Sequence, residues 1–258
     1  SRMNFEGVEG VTYLLRVGGF DNERGTGTIS VEYGDGPPES PNIDFQHDGL
    51  TRQYRFYAPT DLPESAPLVL VLHGYGGGNN DMLNNYGWRG MADEGGFAVA
   101  FPNGTRDQSN ARFWDVDYAF HPQFDIDDDG FLSSLAVHLQ KTLGLDSERT
   151  FVTGFSNGAE MCFQLACRES ATFKGFAPIV GMMLNPLFLS CDPEFKRPIL
   201  SMNGTADGTT LFGGDMNNTG GWGAYRPIPE MNEFWIDELE TPILDRRILD
   251  NTDPNDGS

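Results

Sequence analysis

Gly154-Phe155-Ser156-Asn157-Gly158 decides the reading of this chain, because of what lies on either side of it. Before it runs Arg149-Thr-Phe-Val-Thr153, rich in β-branched and aromatic residues, and after it Ala159 to Cys167 has the composition of a helix. A serine therefore sits where a strand turns sharply into a helix, the arrangement of a nucleophile elbow. In a chain with 32 glycines the pentapeptide alone is a weak signal, and its flanks make it a strong one. The strained turn and close strand-to-helix packing leave no room for Cβ atoms at the two glycines. The serine oxygen then stands at a helix N-terminus, where developing negative charge is favoured.

Working outward, His73-Gly74-Tyr75-Gly76-Gly77-Gly78 directly follows Leu68-Val-Leu-Val-Leu72, a continuous apolar strand of the buried parallel type. Its glycines let the backbone approach a ligand, and a loop in this place donates an oxyanion-hole amide. The expected donors are the backbone amides of Tyr75 and Asn157, the second being the residue after the nucleophile. Asn203-Gly-Thr-Ala-Asp207 follows the expected strand Pro198 to Met202 and puts Asp207 at a strand's C-terminal end, downstream of the serine. Asp207 is expected to orient a base and stabilise its imidazolium. The chain's histidines are His47, His73, His121 and His138, and none follows Ser156. His73 reads as structural, His121 as a loop residue on another part of the rim, and His138 as a solvated helix residue.

Strand signals at 52–58, 68–72, 97–101, 149–153, 175–180 and 198–202 alternate with helix signals, which implies an α/β fold. A mostly parallel sheet flanked by helices is expected, preceded by a short β-hairpin. In the segment 131–145, Leu132, Leu135, Leu139 and Leu143 share one helical face. Asp125-Ile-Asp-Asp-Asp-Gly130 has carboxylates at positions 1, 3 and 5 of a calcium loop, but position 12 would be Ala136. The simpler expectation is that Asp127 to Asp129 cap that helix, with no metal bound. Residues 1–36 read as a hairpin left from a preceding β-sandwich module, 37–43 as a proline-stiffened linker, and 44–258 as the α/β domain.

Lysine and arginine number 17 against 38 acidic residues, a formal charge of −21 that repels phosphate backbones and anionic membranes. Nucleic acid is not an expected partner. Nor is a membrane, since no run of about 18 apolar residues exists to span one. Residues 1–20 lack the basic start and apolar stretch of a secretion signal. Spacing leaves the three cysteines open between a Cys167–Cys191 disulfide with Cys162 a buried thiol and three free buried thiols.

Several further motifs occur in order: Arg52-x-Tyr54, Leu72-His-Gly74, Ala92-Asp93-x3-Phe97, Pro102-Asn-Gly104, Asp127-Asp-Asp-Gly-Phe131, Val152 to Gly158, Ala177-Pro178, Gly204-Thr-Ala-Asp207 and Phe212-Gly-Gly214. Together they resemble the secreted polyhydroxybutyrate depolymerase and feruloyl esterase group of α/β-hydrolases, over about residues 46 to 258. The resemblance implies cofactor-free ester hydrolysis with Ser156 as nucleophile and Asp207 as triad acid. It supports the Cys167–Cys191 pairing and implies extracellular work on polyesters or acylated polysaccharide, leaving the oligomeric state open. Asn203 departs from the group's usual histidine, and no cysteine follows Trp235. Members continue past a segment like Asp253-Pro-Asn-Asp-Gly257 into a final strand and a loop bearing the base histidine. The expectation is therefore an incomplete hydrolase, impaired in turnover; the alternative is a catalytically silent module that keeps the cleft to hold a polymer.

Overall fold

The computed structural model describes residues 40–240, which fall, apart from Ser40, in the second of the chain's two units, Pro41–Ser258. The expected hairpin of 1–36, residues 37–39 of the linker 37–43 and the 253–257 segment lie outside the described residues, and the linker's last residue, Ile43, already belongs to β1. In chain order the strands are β1 (Ile43–His47), β2 (Leu50–Tyr57), β3 (Leu68–Leu72), β4 (Ala98–Pro102), β5 (Thr105–Arg106), β6 (Arg112–Phe113), β7 (Thr150–Phe155) and β8 (Phe176–Ile179). The helices are α1 (Asn79–Asn85), α2 (Trp88–Gly95), α3 (Asp128–Leu143), α4 (Asn157–Arg168), α5 (Asn185–Ser190) and α6 (Ile228–Glu238).

Six strands form one sheet in the order β1-β2-β4-β3-β7-β8. Strands β4, β3, β7 and β8 run parallel, while β1 and β2 add antiparallel pairs at one edge. The division follows composition. The apolar runs LVLVL of β3 and AVAFP of β4 suit strands covered on both faces, and all five residues of β4 are buried. Strand β1, IDFQH, is exposed or half-buried throughout, as an edge strand can be.

Helix α3 starts three residues before the expected start at Phe131, at Asp128, capped by Asp127, whose side chain accepts from the Gly130 amide at 2.9 Å. Asp127, Asp128 and Asp129 are thus engaged by one local cap and by partners distant in sequence. Asp127 also meets His47 at 2.9 Å, Asp128 is buried against Arg52 at 2.5 Å, and Asp129 takes Arg168 at 2.9 Å. Burial pushes the Asp128 carboxyl up to about 6 in spite of Arg52. Leu132, Leu135 and Leu139 are buried as the periodicity requires, but Leu143 is 49% exposed. The helix ends at Leu143 and Gly144 turns the chain away in a left-handed conformation, so the fourth leucine has nothing to pack on.

The expected strand at Pro198–Met202 is reduced to two parallel bridges, Ile199 to Phe176 and Met202 to Ile179. Proline at its first position has no amide to donate, and Leu200 and Met202 stay exposed. Cys167, at the end of α4, is joined to Cys191, which follows α5, and Cys162 is a free buried thiol.

Candidate active site

Ser156 holds φ 55° and ψ −121°, a left-handed-region backbone that a non-glycine residue rarely adopts and that costs of order 1–3 kcal/mol. Its surroundings impose it. The Ser156 amide donates to Ile179 O at 3.0 Å, and its carbonyl accepts from the amides of Ala159 and Glu160 at 2.7 and 3.0 Å, which starts α4. A Cβ on Gly154 would lie 2.2 Å from Gly158 O, and one on Gly158 would lie 2.6 Å from Leu72 O and 2.7 Å from His73 O. These contacts bring the end of β3 against the elbow. The loop after β3 follows, since a Cβ on Gly74 would be 3.3 Å from the Ser156 Cβ.

Two backbone segments thus converge on Ser156, and Trp114 ties them together. Its indole N–H donates to His73 O at 2.9 Å. Its backbone exchanges two hydrogen bonds with the Asn157 side chain: Trp114 N–H to Oδ1 at 2.7 Å, and Nδ2–H to Trp114 O at 3.0 Å. Among the described residues, the amides of Tyr75 and Asn157 donate to no other backbone group. Both remain available to a ligand oxygen.

His73 is buried, and its tautomer follows from its partners. The Gly104 amide can only donate, and it reaches Nε2 at 2.9 Å, so the proton sits on Nδ1 and is given to Gly74 O at 2.8 Å. Burial, the largest influence, pulls its pKa down to about 4. It is a neutral strut. His121 faces Asp107 at 3.3 Å, His47 bonds Asp127, and His138 is exposed on α3 with its ring edge against Phe45. Among the described residues none of the four hydrogen-bonds Ser156.

Asp207 is half-buried, and its Oδ1 accepts from the amides of Thr209 and Thr210 at 2.7 and 3.0 Å. Sheet register places it. Phe155 pairs with Ile179, and Ile179 bridges Met202, so Ser156 and the segment leading to Asp207 leave the same rim two strand spacings apart, about 10 Å.

The family model "Esterase PHB depolymerase" matches residues 52–186, just over half of the chain. The chain belongs to the esterase PHB depolymerase family. The match includes Tyr75, Ser156 and Asn157, and Asp207 lies beyond it. NocK of Nocardia uniformis subsp. tsuyamanensis is 32% identical over 169 residues, 64% of this chain and 48% of NocK. The bifunctional acetylxylan esterase/xylanase XynS20E of Neocallimastix patriciarum is 27% identical over 162 residues, 63% of this chain and 22% of that protein. This esterase PHB depolymerase family chain therefore spans about half, or less, of these relatives. The solved acetyl xylan esterase from Aspergillus awamori matches with a TM-score of 0.50 at 18% identity, over 61% of this chain and 57% of that one, a likeness of fold. That fold is the α/β-hydrolase.

Some of the site is invisible to motif reading. Glu160, on the first turn of α4, is 4% exposed and accepts from the Tyr118 hydroxyl; burial drives its pKa up to about 7, with Tyr118 and Asn157 opposing. A charge inside the run Ala159 to Leu165 was its one sequence signal. Asp107 accepts from the Tyr75 hydroxyl, 32 residues away, and the turn Asp107-Gln-Ser-Asn110 carries no hint of that partner. Rings of Tyr75, Tyr118, Phe120 and Trp222 pack edge to face or stacked beside these pairs, with Phe120 exposed.

Proposed function

We propose that the chain is a serine carboxylic-ester hydrolase in which Ser156 forms the acyl-enzyme. The observation that carries this is the strained Ser156 at the head of α4, with the Gly74–Gly78 loop against it and two unspent amides nearby. The serine oxygen attacks the ester carbonyl, and charge gathers on the carbonyl oxygen. The amides of Tyr75 and Asn157 receive that oxygen, each worth about 100- to 1000-fold in turnover. Collapse expels the alcohol, and water releases the acid. Asp207 orients the base that takes the serine proton.

Among the described residues none of the four histidines hydrogen-bonds Ser156, so the base is assigned to none of them. The relatives' names support esters of acylated polysaccharide as substrates, beside polyesters from the family description. The Cys167–Cys191 disulfide supports work outside the cytosol. The position of the four histidines also favours a second reading, a silent module that holds polymer in the cleft.

A short-chain nitrophenyl ester and a serine-directed fluorophosphonate separate the two. Slow turnover and labelling, both abolished in Ser156→Ala, are expected. Equal rates in the two proteins would overturn the esterase reading, and polymer binding without turnover would establish the module.

A further inference from the structure

The Tyr75 amide can serve as an oxyanion donor only if a glycine-rich loop holds still. Gly74, Gly76, Gly77 and Gly78 give that stretch more backbone freedom than any other composition would. Backbone bonds tie it down at Gly76 N to Arg112 O at 2.8 Å, at Gly77 N to Gly74 O at 3.0 Å and at Gly78 O, which accepts from the amides of Asp81 and Met82, while His73 Nδ1 donates to Gly74 O. Tyr75 itself is held through its ring, a rigid spacer whose hydroxyl donates to Asp107 Oδ2.

Asp107 is built for that bond. Its Oδ1 is spent on its own turn, accepting from the amides of Ser109 at 2.8 Å and Ala111 at 2.9 Å, while its own amide donates to Ala111 O at 2.9 Å. Oδ2 is left for Tyr75 and for His121 Nε2 at 3.3 Å. The carboxylate is 8% exposed and the histidine 3%. Burial opposes its charge, but the bonds from Tyr75, Ala111, Ser109 and His121 outweigh that and hold the carboxyl down at about 2. A charged acceptor makes a bond roughly twice as strong as a neutral one. Among the described residues His121 Nδ1 is buried without a hydrogen-bond partner, so beside Phe113, Phe120 and Phe124 the imidazole's hydrogen bond there is to this carboxylate.

We propose that Asp107, backed by His121, is a positioning residue for the esterase centre, acting through the Tyr75 hydroxyl to hold the Tyr75 amide toward the oxygen of the ester undergoing attack at Ser156. The proposal rests on the serine-esterase reading and adds a residue that touches neither substrate nor nucleophile.

The test uses the full chain and the variants Asp107→Ala, Tyr75→Phe and Ser156→Ala, with Asp93→Ala as control, since it removes a similar bond from Tyr57 to Asp93. Amide exchange of the 73–78 peptide is read by mass spectrometry, independent of turnover. Asp107→Ala and Tyr75→Phe should speed it at least about tenfold, with Asp93→Ala unchanged. On nitrophenyl esters the same two variants should lose about 10- to 100-fold in kcat with KM nearly constant, and should lose the preference for oxoester over thionoester. The double variant should be no worse than Asp107→Ala alone. Unchanged 73–78 exchange in both single variants overturns the positioning role and leaves the esterase intact. Turnover indifferent to Ser156→Ala overturns the esterase itself. Tyr75→Phe removes one oxygen atom and keeps the test open should Asp107→Ala fail to fold.

Discussion

The two shoulders of the candidate site are built to different standards. On the nucleophile side, β3 and β7 are paired over five consecutive residues from Leu68 to Leu72, and the backbones of the elbow and the end of β3 lie so close that a Cβ on Gly154 or Gly158 would sit 2.2–2.7 Å from a backbone oxygen. On the acid side the outermost strand is two bridges, its Leu200 and Met202 face out, and Asp207 is held by its own turn. The same rim thus carries one group fixed by the sheet's centre and another fixed by local chain geometry. Position in a parallel sheet, more than residue type, decides how tightly a functional side chain is held.

The sharpest way to break this contrast is a pair of glycine substitutions at its two ends. Gly154→Ala puts a Cβ 2.2 Å from a backbone oxygen that cannot step aside, and should cost about 3 kcal/mol or more in urea unfolding. A stability close to wild type would show that the elbow can relax. Next comes the disulfide that ties the end of α4 to the chain leading toward the acid side, over a separation of 24 residues. Cys191→Ala should lower stability by about 3 kcal/mol, and a reducing agent should lower the wild-type Tm while leaving the variant's unchanged. A variant as stable as wild type would mean that the acid side stands without its tether.

Glu160 sharpens the contrast through pH. Its folded pKa of about 7 lies above the unfolded value of 4.5, so its contribution is complete below 4.5 and is lost as pH rises through 7. The wild-type unfolding free energy should therefore fall between about pH 5 and 9, by an amount on the order of 3 kcal/mol, and Glu160→Gln should flatten that slope. Parallel slopes in the two proteins would remove Glu160 from the account. The smallest effect belongs to Gly204→Ala on the acid side, where nothing lies closer than 3.9 Å to the added carbon. Its stability should stay within about 0.5 kcal/mol, and a loss as large as that of Gly154→Ala would erase the difference between the shoulders.

The same contrast explains which parts of the molecule could be read from the chain. Strand Leu68–Leu72 has the expected bounds, because a strand covered on both faces writes an unbroken apolar run, and the elbow strand and its helix lie within two residues of theirs, because Gly154 and Gly158 mark the turn between them. Pro198–Met202 has the same composition but a partner on one side, so an apolar run overstated its pairing. Leu143 was misplaced because periodicity says which residues share a face, not whether the last turn still has anything beneath it. The stretch between β4 and α3 was nearly silent. Its meaning lies in bonds across 32, 42 and 43 residues, from Tyr75 to Asp107, Tyr118 to Glu160 and Asn157 to Trp114. Turn-forming residues say where a chain bends, and nothing local says whom a bend will serve.

Trp114 carries a last consequence. One side chain and its backbone grip both the strand end that leads to the Gly74–Gly78 loop and the first residue of the elbow helix. Neither can shift without dragging its counterpart, so the two segments flanking Ser156 behave as a single jaw with one hinge pin, and a lesion at position 114 would loosen both at once.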